Sequence, residues 1–323
     1  MRVGRSRSPD RERPTPLHAA IQVVLLATVA VVPLAASNRV LNAHAVPKIA
    51  VLLVGAAALC GLMLVLAARE RRLPVPPRRT AAAMAVYAAV LALTTAFSVD
   101  PAISVLGATS SHMGLLAWLS FVVVFYAVLA AARDGAFVTR LVATVVAVGA
   151  GVAVGGLGGI VRTAATDWQA LAAGGEDVRL YATIGHPDYA GNFLLFPAIL
   201  SVAGAASTSN RAHRAAFGSV AVLAALAILY TGTRGAWVGL VAAAALGAWL
   251  GLRGGTEAAR AALTWRRVAA ASAAVAVLGV LVGLTPAGAS IRNRASKFSS
   301  EGFTGAGRTT IWRLSASMVP AYW

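Results

Sequence analysis

The chain has 323 residues, 59% of them hydrophobic, and a mean hydropathy of +0.75; soluble domains average about 45–50% apolar residues. The excess falls in repeated runs of about eighteen or more apolar residues, each long enough to cross a bilayer, and without the period-two alternation of a membrane β-barrel. One cysteine, Cys60, excludes an intrachain disulfide and a cysteine-built metal cluster, and the net charge of +17 sits mostly in short segments between the runs, which points to membrane topology rather than to nucleic acid.

In chain order, "MRVGRSRSPDRERP" followed by an apolar run and "PLAAS" resembles a signal peptide. Further apolar runs follow, so it reads as a first membrane helix that is kept. Spans are expected at about 17–37, 46–68, 80–97, 114–132, 137–160, 187–206, 215–231, 235–252 and 267–285. This is an all-α, polytopic transmembrane helical bundle of about nine spans. "RERRLPVPPRR" at 69–79 is the clearest break between spans. With the N-terminus placed in the cytoplasm, eighteen of the 28 Lys and Arg fall on the inner side, and the outer loop at 98–113 has none. That asymmetry sets the orientation. The resulting organisation is a basic cytoplasmic tail at 1–16, a membrane domain at 17–285, and the start of a large extracytoplasmic loop at 286–323.

Polar residues gather at the outer ends of the spans. "TAFSVDPAISVLGATSSHMGLL" at 95–116 carries a turn signal at Asp100-Pro101, and Ser111 or His112 as a cap for the next helix; His112 as a catalytic base is the alternative. "GVAVGGLGGI" at 151–160 lies within a span and reads as helix packing. The outer loop at 161–186 contains Arg162, Arg179, and Trp168 and Tyr181 as interface anchors. "IGHPDYAGNFLLFPAIL" at 184–200 places His186, Asp188, Tyr189 and Asn192 where that loop enters a span. Asp188 can cap the helix there, Pro197 can bend it, and the polar set can instead hydrogen-bond sugar hydroxyls. In "ILYTGTRGAWVGLV" at 228–241, Arg234 stands between two apolar runs. It either snorkels to the surface or, with Arg162, Arg179 and Arg308 on the same outer face, grips an anionic headgroup. A guanidinium forks onto phosphate oxygens in bidentate geometry. Gly232, Gly235 and Gly239 around it allow close approach. Nucleophile-elbow, P-loop, zincin and paired-carboxylate hydrolase patterns are absent. The spans hold almost no acid, which argues against a proton- or sodium-coupled transporter.

Four segments resemble those of the O-antigen ligase and polymerase superfamily. "TGTRGAWVGL" resembles its Ser-Arg-Gly-Ala signature, and "GRTTIWRLSASMVP" its Arg-x-x-Ile-Trp segment in a large outer loop. "IGHPDYAGNFLL" is similar to its Gly-Asn-Pro-Asn-like helix start, and "FSVDPAISVLGATSSHMGLL" to its Ser-x-Asp-Pro-x-x-Ser-x-x-Gly turn. The resemblance covers most of the chain in order. It implies a glycosyltransferase of the bacterial cytoplasmic membrane that moves a glycan from an undecaprenyl-diphosphate carrier to an acceptor hydroxyl at the outer face. The acceptor is a lipid, a protein or another glycan. The family's two functional arginines fall on Arg234 and Arg308, where they would hold the diphosphate and stabilise the negative charge that develops as it leaves. Arg179, His186, Asp188, Tyr189 and Asn192 are the expected substrate-binding residues. Neither a metal nor a cofactor is implied. The family's general base is a histidine in a His-Asn motif late in the outer loop. The histidines here are His18, His44, His112, His186 and His213, none of them after Arg308. The resemblance therefore implies a chain that continues past Trp323, with His186 as the substitute base if it does not, and it leaves the activity of a truncated chain open. The runner-up functions are a lipid-linked oligosaccharide flippase or carrier, which needs a polar path to the inner face, and a membrane protein without chemistry.

Overall fold

The computed structural model describes residues 15–40, 42–71, 77–109, 112–167, 169 and 179–253, with short stretches at 284, 288–289, 291–293, 296 and 310–317. The described residues are helices, turns and loops, with no strand among them. They form two compact units, Met1–Thr144 and Val145–Trp323. Six helices, Pro16–Leu34, Ala45–Glu70, Arg78–Ala96, Gly135–Thr163, Pro187–Ser207 and Arg211–Thr231, are long and apolar enough to cross a membrane. Leu115–Ala131 is apolar but shorter, and Arg234–Arg253 is an apolar helix of 20 residues. Eight of the expected spans thus coincide with helices, and the ninth, at 267–285, lies almost wholly outside the described residues. The chain reads as a multi-pass helical membrane protein.

In the first unit, helix α1 (Pro16–Leu34) opens on a Thr15 cap whose hydroxyl accepts from the His18 amide, with Pro16 at the position where a missing N–H costs nothing. Helix α2 (Ala45–Glu70) has 26 residues, about 39 Å, more than the hydrocarbon thickness of about 30 Å. Helix α3 (Arg78–Ala96) starts directly after the proline-rich break and buries none of its residues within the chain. The Asp100-Pro101 signal is more than a turn. Asp100 Oδ1 accepts from the Ile103 amide at 3.1 Å and caps a short helix, α4 (Pro101–Leu106). Helix α5 (Leu115–Ala131) follows Gly114, with no side chain capping it; His112 does not take that role and Ser111 lies outside the described residues. Helices α1, α2 and α5 pack on one another. Their core is Ile21, Leu25, Leu59, Leu66, Ala127 and Ala131, closed by Phe137 from the start of helix α6 (Gly135–Thr166). Gly55 of α2 sits so close to Thr28 of α1 that any Cβ would overlap the threonine side chain, the close approach that small residues allow between membrane helices.

The second unit begins within α6, at Val145. It contains helix α7 (Pro187–Ser207), helix α8 (Arg211–Thr231) and helix α9 (Arg234–Arg253). The tightest pairing is α7 with α8, and α9 packs against both. Alanines 190, 198, 224, 227 and 236 are buried, so the backbones approach closely. Pro197, fully buried, seats its ring against Gly149 of α6, where a Cβ would not fit. Within the glycine-rich stretch at 151–160, Gly156 meets the Leu180 side chain, whereas Gly155, Gly158 and Gly159 face open space.

Candidate functional site

The site is built around the junction between α8 and α9. Helix α8 ends at Thr231 because Gly232 adopts the left-handed conformation (φ 64°) that favours glycine and stops a helix. Thr233 then carries the chain into α9, its carbonyl accepting the first helical bond from Trp237 at 3.1 Å. The last four carbonyls of any helix lack partners in their own ladder. Here all four find one. Ile228 O accepts from the Thr231 hydroxyl at 2.7 Å and from Trp237 Nε1 at 3.2 Å. Leu229 O accepts from Gly232 N at 3.1 Å, and Tyr230 O from Leu180 N at 3.0 Å. Thr231 O accepts from Arg179 Nε at 2.7 Å. Residues 179 and 180 therefore run alongside the end of α8 and complete it.

Arg179 does more than cap. Its Nη2 donates to Asp188 Oδ1 at 2.8 Å and to Thr233 Oγ1 at 3.4 Å. Thr233 Oγ1 lies 2.9 Å from Asp188 Oδ1 and 3.2 Å from Pro187 O, so its one hydroxyl proton is shared between those acceptors. A cation at the C-terminus of α8 and a carboxylate on the first turn of α7 each meet the favourable end of a helix dipole. The Arg179 side chain is 15% exposed, that of Asp188 45%. Gly191, one turn along α7, leaves room for the junction: a Cβ there would meet Thr231 Oγ1 at 2.9 Å, Ala236 Cβ at 3.0 Å and Thr233 Cβ at 3.2 Å.

The remaining candidates distribute as follows. His186, not Asp188, caps α7; its Nδ1 accepts from the Asp188 amide at 3.2 Å. Asp188 is left for Arg179. The rings of His186 and Tyr189 lie 4.9 Å apart, and Tyr189 is exposed. Asn192 is exposed on α7 four residues beyond Asp188, on the same helix face. Arg234 is half-buried and follows Thr233 directly. Arg179, Asp188, His186, Tyr189 and the Arg234 backbone are thus brought to one end of the α7–α8–α9 cluster. Arg308 and Trp168 lie outside the described residues. Thr231 and Thr233 were not among the expected site residues. Their signal is present in "TGTR": a glycine that ends one helix, a threonine at the cap of the next, then the arginine.

Comparison with characterised proteins and with solved structures gives no match. A protein-family comparison does. Residues 219–323, the segment that contains both the Thr233-Arg234 junction and Arg308, match the family model described as O-antigen ligase, and this supports the family that the motifs resemble.

Proposed function

We propose that this protein is a membrane glycosyltransferase of the O-antigen ligase type. It takes a glycan from an undecaprenyl-diphosphate carrier at the outer face of the bacterial cytoplasmic membrane and transfers it to a hydroxyl of a lipid, protein or glycan acceptor. The observation that carries the reading is the family match over 219–323, which includes Arg234 and Arg308. The junction geometry is consistent with it, because Arg234 opens a helix at the end of the cluster where Arg179, Asp188 and His186 meet.

In the reaction, the acceptor oxygen bonds to the anomeric carbon as the bond from that carbon to the diphosphate oxygen breaks. The hydroxyl proton goes to a general base, which the family resemblance places on the C-terminal side of Arg308. Arg234 and Arg308 act on the leaving diphosphate. Charge that develops in the transition state is best stabilised by donors already fixed in place. His186, Tyr189 and Asn192, all exposed, would contact the carried sugar.

The test is reconstitution with an undecaprenyl-diphosphate-linked oligosaccharide and a hydroxyl-bearing acceptor. A new glycosidic bond and released undecaprenyl diphosphate are expected, and Arg234→Ala should lower turnover by about 100-fold or more while the protein stays folded. Unchanged turnover in that variant overturns the proposal. Movement of the lipid-linked glycan across vesicles, with no new bond, would establish the flippase in its place.

A further inference from the structure

We propose that Arg179 is a positioning residue. Paired with Asp188, it locks the α8–α9 junction and so sets where the Arg234 guanidinium stands; it does not itself hold the anionic headgroup. This rests on the transfer reading for what Arg234 binds, while the lock belongs to the geometry of the chain.

Three observations carry the inference. Three of the five Arg179 N–H donors are committed: Nε to the Thr231 carbonyl, Nη2 to Asp188 and Thr233. The charge is neutralised, because the Asp188 carboxylate lies 2.8 Å away and would repel an anion brought to the same guanidinium. The side chain is mostly withdrawn from solvent, at 15% exposure. For Arg179 to grip a diphosphate through its Nε and Nη2 edge it would have to abandon the Thr231 carbonyl and the Asp188 carboxylate, which is costly for part-buried groups. The contacts instead converge on Thr231 and Thr233, on either side of Gly232. Thr233 is bonded directly to Arg234, so a shift of Thr233 passes through one rigid peptide unit of about 3.8 Å. The lock therefore fixes the backbone position from which the Arg234 side chain extends.

The roles of headgroup ligand and lock separate by the sign of one substitution. Asp188→Asn keeps an acceptor oxygen but removes the charge that cancels Arg179. If Arg179 held the headgroup, this variant would free its cation and tighten binding of undecaprenyl diphosphate. As a lock, Arg179 needs Asp188. Binding of undecaprenyl diphosphate to the full chain in lipid nanodiscs should then weaken in Asp188→Asn, in Arg179→Gln and in Arg179→Lys alike, since an ammonium cannot reproduce the fork. Turnover should fall about 10- to 100-fold in each, with kcat carrying more of the loss than KM. The Arg179→Gln/Asp188→Asn double variant should be no worse than either single.

A second readout does not depend on turnover. Gly235 is exposed and a Cβ there meets open space. In a Cys60→Ser background, Gly235→Cys can be labelled with a hydrophilic maleimide, and its labelling rate should change several-fold in each lock variant. Wild-type labelling in those variants overturns the lock. So does tighter binding in Asp188→Asn, or full affinity in Arg179→Lys. If the parent protein neither binds undecaprenyl diphosphate nor transfers glycan, the transfer reading fails, and the labelling rates still decide the lock. Where Arg179→Gln does not fold, Thr233→Val removes one hydroxyl from the lock at nearly constant shape and takes the same two measurements.

Discussion

Among the described residues, an arginine–carboxylate pair is joined to an uncharged polar side chain in each unit, and the two differ in what surrounds them. In the first unit Arg140 Nη2 lies 3.4 Å from Asp134 Oδ2, with side chains 52% and 39% exposed. The Gln22 amide bridges them, donating to Asp134 at 3.1 Å and accepting from Arg140 at 2.8 Å. This set joins α1 to the turn between α5 and α6, where water can reach the Arg140 and Asp134 side chains if a contact is lost. In the second unit the Arg179–Asp188 pair is shorter, its guanidinium is largely withdrawn from solvent, and one of its acceptors is a main-chain carbonyl at a helix end. The same chemistry is a surface stitch in one place and a structural lock in the other. The difference lies in desolvation and in whether the partners have an alternative, not in residue type.

Breaking the lock should have the largest effect. Arg179→Ala leaves Asp188 and the Thr231 carbonyl without their donor. A fully buried pair would lose about 3–5 kcal/mol, but Asp188 keeps contact with solvent, so about 2–3 kcal/mol is expected, read from thermal unfolding in detergent. Next comes overpacking of the same junction from the other side. Gly191→Val should destabilise by about 1–3 kcal/mol, because the added atoms meet Thr231, Thr233 and Ala236 on fixed elements. Gly235→Ala is the matched control. Its Cβ meets open space, and alanine is the better helix former by about 1 kcal/mol, so the melting temperature should hold or rise. If Gly191→Val proved as harmless as Gly235→Ala, the junction would not be the tight point described here.

The helices were legible because length and hydropathy report on the bilayer, a property of each segment alone. Leu115–Ala131, the shorter helix, is still apolar, and the same signal found it. The α8–α9 break was also legible, since Gly232 and the charge at Arg234 are local. The lock was not. Arg179 lies 52 residues from Thr231, and Thr233 lies 45 residues from Asp188. Pairing across such separations is decided by packing. One acceptor is a backbone carbonyl, which every residue has and no sequence pattern marks. The expectation that Asp188 caps α7 failed for a related reason. Aspartate suits a cap or a helix first turn equally well, and His186 one position before Pro187 was free to take the cap.

The stitch gives the smaller effects. Gln22 is buried at 5% exposure, yet Gln22→Leu removes a group whose two partners are both solvent-accessible, so less than about 1 kcal/mol should be lost. The pH response is smaller still, and its sign is fixed. Asp134 has its carboxyl held below the usual carboxylate range, first by the hydrogen bond from the Gln22 side chain, then by the Ala136 amide, with the Arg140 charge adding to both. A depressed folded-state pKa means that the contribution to stability is fully present above the ordinary value of about 3.9 and fades as pH falls through the lower folded value. Thermal stability should thus be insensitive to this group at neutral pH and decline in acid below about pH 4. Asp134→Asn should remove that part of the acid sensitivity, and Gln22→Leu should shift it towards higher pH, because the largest cause of the depression is then gone. An acid profile that Gln22→Leu leaves untouched would mean that Gln22 is not what distinguishes this turn from any other exposed aspartate, and the contrast between the two pairs would rest on Arg179 alone.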